Sequence, residues 1–338
     1  MVTGITSRTD AAQRYIIGVD LGGTNIVAGA MTADGASQYA MLTVPTRADL
    51  GGDAVVARIV ELCERVIAET IAATGCTRAD FLGVGIGSPG PLDRESGVVI
   101  VTPNLGWTNF PLRDKVAGPL GMPGTLDNDA NCATLGEWWI GAAKGAKQVV
   151  GLTIGTGIGG GLILNGKLYH GASDAAGELG HITIDSTGRK CGCGNYGCLE
   201  AYASGPAIAQ RAREALQGGE SSIMPSLVDA DLSRITAATV FDASHRGDEL
   251  AGHVVRDTAK FLGIGVANFL NIFNPEVVVI AGGVTQAGEA LFEPLRAEVR
   301  RRAFAPAVEA CRILPGALHG NAGVVGAVAT FVQAHGLA

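Results

Sequence analysis

"YIIGVDLGGTNIVAGAM" (residues 15–31) sets a short apolar run, a glycine loop and a second apolar run in a row, and "VVGLTIGTGIGGGLIL" (149–164) does so again. The turns "ADG" (33–35) and "NGK" (165–167) close the two segments. Each reads as strand, glycine loop, strand, turn. Similar spacing inside both units points to a duplication, and so to two related lobes facing each other across a cleft. Strand-like and helix-like stretches alternate along the remainder, the mark of an α/β protein.

The second loop holds Gly155, Gly157 and Gly160 in G-x-G-x-x-G spacing. A dinucleotide fold would need a helix opening on those glycines, and an acidic residue about twenty positions on. Here an Asn-Gly pair follows, which favours a hairpin turn. A glycine-rich hairpin turn can still expose backbone N–H groups as an anion nest, where a Cβ would block close approach. Tight structural turns are the plainer alternative. A third stretch, "VVVIAGGVT" (277–285), runs a buried strand into Gly282 and Gly283, which could pass close to a base or ribose.

Composition fits a two-core globular chain. Of 338 residues, 47% are hydrophobic and 17% charged, which supplies apolar surface for two domains. A net charge of −7 argues against nucleic acid or an anionic membrane as partner. The apolar runs are too short to span a bilayer, and the first residues have no signal-peptide core. Residues 1–13 read as a flexible tail. Seven cysteines, three of them bunched, suit a reducing cytoplasm better than a disulfide framework.

The bunched three lie in "HITIDSTGRKCGCGNYGCLEAY" (181–202). Cys191, Cys193 and Cys198 can gather thiolates around one ion, with His181 as a fourth ligand. Three sulfurs and an imidazole suit a closed, structural zinc. A redox pair is the alternative. In "GTLDNDANCATLGEWW" (124–139), Asp127, Asn128, Asp129 and Asn131 stand at a strand end before a helix. Asp127 could simply cap that helix. Asp129 could be a general base, the one carboxylate that phosphoryl transfer to an alcohol requires. Trp138 and Trp139 sit on the helix as packing residues, and Trp107 lies nearer the expected cleft.

In order, "DLGGTN", "GSPGPLD", "TPNLGW", "DNDAN", "GTGIGGG", "GELGH", "CGCGNYGCLE" and "AGGV" make the chain resemble the ROK family of sugar kinases and sugar-sensing repressors, its glucokinases above all. The resemblance runs from about residue 15 to the C-terminus. It implies the actin-like, hexokinase-type (ribonuclease H-like) two-lobed α/β fold. The small lobe is expected over 14–126, joined by a C-terminal helix at 321–338. The large lobe is expected over 127–320 and carries the zinc loop, 181–200. Residues 218–235 read as a loose loop or connector.

By the same resemblance, Asp20, Gly22, Gly23 and Thr24 form a first phosphate loop, with Asp20 near magnesium. Gly155, Thr156 and Gly157 form the second, and Gly282 and Gly283 belong to the adenosine motif. The sugar ligands fall on Asn104, Asn128, Asp129, Glu178, His181 and Glu200, with Asp129 the catalytic base. The implied activity is ATP- and magnesium-dependent phosphorylation of glucose at O6 by a homodimer or homotetramer. N-acetylmannosamine, N-acetylglucosamine and other hexose kinases share nearly all these positions. Asn25 stands where the family often has lysine, which leaves polyphosphate open as an alternative donor. A sugar-sensing repressor would need a DNA-binding module ahead of the first loop, and about fourteen residues are too few for one.

Overall fold

The computed structural model describes residues 14–337. The expected tail, 1–13, and the last position of the expected C-terminal helix lie outside the described residues. Packing divides the chain into two units. The first contains the described residues up to Gly145, Leu168–Ala176 and those from Gly320 on. The second contains Ala146–Lys167 and Gly177–His319.

In the first unit, β1 (Tyr15–Leu21), β2 (Asn25–Thr32), β3 (Gln38–Pro45), β4 (Phe81–Ser88) and β8 (Gly124–Asn128) form a sheet in the order β3-β2-β1-β4-β8. β1 and β2 are an antiparallel hairpin, while β4 pairs parallel with β1 and β8 parallel with β4. A three-stranded antiparallel sheet of β5 (Leu92–Asp93), β6 (Val98–Thr102) and β7 (Trp107–Phe110) follows β4 in the chain. Helices α1 (Gly52–Thr74), α2 (Leu112–Leu120) and α3 (Asp129–Trp139) complete the unit, with a C-terminal helix at Ala322–Ala334.

That last helix is buried along nearly its whole length, from Ala322 to Val332. Missing side chains let it in. Gly18 and Gly85 are partners in the parallel β1/β4 register, and a Cβ on either would collide with the helix carbonyls of Val324 or Ala327. Gly136 of α3 and Gly326 of the C-terminal helix lie equally close, a Cβ at Gly136 falling 3.0 Å from the Gly326 amide. This packing draws α3 into the first unit, so residues 127–145 group there, past the sequence-based boundary at 126.

The second unit repeats the plan. Its strands β9 (Val149–Ile154), β10 (Ile158–Leu164), β11 (Lys167–Leu168), β12 (Val277–Ala281) and β13 (Arg312–Pro315) run in the order β11-β10-β9-β12-β13. Again an antiparallel hairpin, β9/β10, leads into two parallel additions. The two sheets therefore share one topology, strand for strand, and the duplication legible in the glycine loops extends through both. Helices α4 (Glu200–Ala203), α5 (Gly205–Gln217), α6 (Ala237–His245), α7 (Glu249–Phe273), α8 (Glu289–Arg302) and α9 (Ala305–Ala310) belong to this unit.

α7 shows why such segments are helical. Leu250, Val254, Thr258, Leu262, Val266 and Phe269 recur at three- and four-residue steps and are all buried. Asp248 caps it through the Ala251 amide at 2.8 Å, and the chain leaves at Asn274 in a left-handed conformation, φ 45°. Asp248 also accepts from Ser222 Oγ at 3.0 Å and the Ile223 amide at 2.8 Å. Residues 218–235 are thus not loose: Asp248 ties them down, and Met224 is fully buried in the core.

Candidate active site

The first glycine loop joins β1 to β2. Gly22 donates its amide to the Asn25 carbonyl at 2.9 Å, and Thr46 takes up two further carbonyls of the loop. The Thr46 amide donates to the Thr24 carbonyl at 2.8 Å and its hydroxyl to the Gly22 carbonyl at 2.7 Å. Thr46 is fully buried, and the sequence offered no sign of this brace. A Cβ at Gly23 would lie 3.8 Å from that of Asn104, so the expected sugar ligand Asn104 stands over this loop.

Asp20 is the next-to-last residue of β1, just before the loop. Burial, reinforced by the charge of Asp129, pushes its carboxyl up to about 7. Two carboxylates sharing one region favour a bound cation, and hard oxygen ligands suit magnesium. Asp129 opens α3, where its Oδ1 accepts the Ala130 amide at 2.8 Å.

The cap of α3 is Asn128, not Asp127. Asn128 Oδ1 accepts from the amides of Ala130 (2.9 Å) and Asn131 (3.2 Å), which leaves its amide nitrogen for a ligand. Asp127 is fully buried and is held by Arg94 and His170, neither of which the sequence reading had singled out. Trp107 is buried too and stacks on Phe110 with ring centroids 4.3 Å apart, a core residue. Trp139 packs on the turn at Gly35, where a Cβ would lie 2.9 Å from its ring.

In the second unit, Gly155, Thr156 and Gly157 make the β9–β10 turn, and the Gly155 amide donates to the Gly157 carbonyl at 2.9 Å. A cavity of about 420 Å³ opens beside it. Gly155, Thr156 and Gly283 line one part, and Ala209, Arg213 and Phe241 of α5 and α6 another. Apolar walls with few polar groups suit a flat heterocycle. Gly282 is not on the wall. It has φ 95°, and a Cβ there would meet the Ile154 carbonyl, so it lets the end of β12 pass close to that of β9. Arg213 and Phe241 carry no motif, being ordinary members of amphipathic helices.

The cysteine loop gathers as expected. The ligand atoms of His181, Cys191, Cys193 and Cys198 all lie within 4.8 Å of one another. Cys193 Sγ and Cys198 Sγ are 3.7 Å apart, as are Cys191 Sγ and His181 Nδ1. Sulfurs about 2.3 Å from one tetrahedral ion would stand about 3.8 Å apart, so the set could hold a metal ion of zinc's size. The other ring nitrogen, Nε2, lies 3.9 Å from Glu178 Oε2. Glu200 joins the cluster to the phosphate hairpin: Oε2 accepts the Ile158 amide at 2.9 Å, and Oε1 lies 3.5 Å from Cys191 Sγ. Tyr202 secures the loop from below, accepting the Arg189 amide at 2.8 Å and donating to Asp185 at 3.0 Å.

The expected ligands therefore fall in two groups. Asp20, the first loop, Asn104, Asn128 and Asp129 belong to the first unit, while the second loop, the cavity, Glu178, His181 and Glu200 belong to the second. No helix among the described residues is long and apolar enough to cross a membrane.

The ROK family model matches residues 16–334. The glucokinase of Thermotoga maritima is 39% identical over 92% of this chain and 95% of its own. That of Halalkalibacterium halodurans is 36% identical over 93% and 94%. A crystal structure of a ROK family glucokinase from Streptomyces griseus, in complex with glucose and AMPPNP, superposes with a TM-score of 0.80 at 34% identity, covering 94% of this chain and 98% of that one. The shared sheet topology is that of the actin-like fold.

Proposed function

Because this chain belongs to the ROK family, we propose that it is a glucokinase that transfers the γ-phosphoryl group of ATP to O6 of glucose. The observation that carries the reading is similarity to glucokinases over more than nine-tenths of both chains, at 36% and 39% identity. The residues such a reaction needs accompany it.

Asp129 is the base. It accepts the proton of the 6-hydroxyl as O6 attacks the γ-phosphorus in line, and the bridging oxygen leaves with ADP. A positioned base contributes about two to four decades in rate. Asn104 and the free amide nitrogen of Asn128 in the first unit are sugar ligands, and so are Glu178, His181 and Glu200 in the second. Buried acceptors left unmatched by a wrong epimer supply the selectivity. Backbone amides of both glycine loops receive phosphate oxygens, and the cavity beside Gly283 receives the adenosine. Asp20 is the residue that would hold magnesium, whose charge neutralises the phosphates when it is bound.

His181, Cys191, Cys193 and Cys198 would hold a structural zinc that fixes the 181–200 loop. His181 serves both sides, Nδ1 toward the cluster and Nε2 toward Glu178 and the sugar. The same reading takes the enzyme to be a cytoplasmic homo-oligomer, in keeping with seven free cysteines. NMR of the product formed from glucose and magnesium-ATP tests the chemistry. Phosphorus coupled to the C6 protons supports the transfer described, and coupling to any other carbon contradicts it.

A further inference from the structure

The carboxylate of Asp127 lies at the centre of a buried network just ahead of the proposed base. Its Oδ1 accepts the Asn128 amide at 2.8 Å and Asn131 Nδ2 at 3.1 Å. Its Oδ2 faces His170 Nε2 at 2.8 Å. Facing a carboxylate oxygen, that ring nitrogen is the donor. Arg94 Nε lies 3.0 Å from the same oxygen, at an angle that makes the contact an ion pair rather than a hydrogen bond. Asp174 holds the arginine in turn, taking the Arg94 amide at 3.3 Å and lying 3.8 Å from Nη1.

The two oxygens do different work. Oδ1 fixes the backbone where β8 turns into α3, immediately before Asp129. Oδ2 ties that turn to two distant stretches of the first unit, the segment after β5 and the segment after β11. A buried carboxylate cannot sit at an arbitrary angle when every oxygen is engaged, because rotating it strands a donor. The orientation of Asp127, and with it the path of Asn128 and Asp129, is therefore set by His170 and Arg94.

We propose that His170 and Arg94 are positioning residues for phosphoryl transfer, acting through Asp127 to hold Asn128 and Asp129 in reactive geometry. The inference rests on Asp129 being the base. Neither residue need touch the substrate. A displacement of about 1 Å at a reacting group can cost about a hundredfold in rate.

The test is a double-mutant cycle on the full-length enzyme with glucose and magnesium-ATP. His170→Leu removes the donor, and His170→Gln keeps a nitrogen near the place of Nε2. His170→Leu is expected to lower kcat about 10- to 100-fold with KM for ATP within about twofold, and His170→Gln to restore most of it. In an Asp129→Asn background, where the base is gone, His170→Leu should cost little more. A purely structural role would lower kcat by the same factor in both backgrounds, and that result overturns the inference, as does undiminished kcat in His170→Leu. Should His170→Leu fold poorly, Arg94→Met run through the same cycle gives the same decision. Asp129→Asn alone reports on the base: full activity there refutes the base reading itself, a different outcome from equal losses in the two backgrounds.

Discussion

The carboxylate of Asp20 rests on the α-carbon of Gly323, so close that a Cβ at 323 would lie 2.9 Å from Oδ1 and nearer still to Oδ2. The C-terminal helix thus presents a bare backbone to the acidic residue that precedes the first phosphate loop.

Gly323→Ala makes the contact testable. In a helix this change ordinarily stabilises by about 0.8–1.0 kcal/mol. Here the methyl must displace either the carboxylate or the helix, and overpacking of that kind costs about 1–3 kcal/mol. The expected outcome is a lower melting temperature, not a higher one, with kcat/KM down at least about tenfold. Thermal unfolding and steady-state kinetics on the one variant check both.

Asp20 also predicts a pH effect on stability. Its carboxyl is raised from 3.8 to about 7 by burial and by the Asp129 charge. The folded state therefore keeps a proton that the unfolded chain releases between those values. Stability from this group is full below pH 3.8 and is lost as pH rises through about 7. Without magnesium or nucleotide, Asp20→Asn should be more stable than the parent above pH 7, on the order of 2–4 kcal/mol, and equal to it near pH 4. Urea unfolding across this range reads the difference.

Gly157 faces the carboxylate of Glu200, and a Cβ there would lie 2.6 Å from Oε2. Gly157→Ala would push that oxygen off the Ile158 amide and loosen the tie between phosphate hairpin and cysteine loop. KM for glucose should rise at least about tenfold while the melting temperature moves little, since one hydrogen bond is worth about 1 kcal/mol. A kinetic titration in glucose at saturating ATP checks this.

The cysteine loop makes a compositional prediction. Elemental analysis should find one equivalent of zinc, and Cys198→Ser should lose it. Removing the metal should open residues 185–198 to proteolysis and raise KM for glucose, because the loop carries His181 and leads into Glu200. Zinc-free protein with an unchanged proteolytic pattern and unchanged sugar affinity would refute the structural role.

Much of this was legible in the sequence because backbone chemistry dictated it. The glycine loops at 22–24 and 155–157 are hairpin turns, and one strand order repeats around them. The three cysteines gather because they lie within eight residues of one another, and the bridge between Thr183 and Cys198 brings His181 beside them. Asp127 was less legible: an Asx residue before a helix resembles a cap, and only its burial against His170, 43 residues on, shows otherwise. Gly323, Thr46 and Arg213 act through contacts between distant segments, which leave no local pattern. The boundary near 126 was hidden for the same reason, since the C-terminal helix claims α3 by close glycine packing.

Initial rates with magnesium-ATP across glucose, mannose, fructose, N-acetylglucosamine and N-acetylmannosamine test the central claim most directly. A kcat/KM for glucose at least about tenfold above every other sugar is the predicted result, since one well-made polar contact to a hydroxyl separates substrates by that much or more. An acetamido sugar turned over faster than glucose, or no turnover of glucose at all, would contradict it.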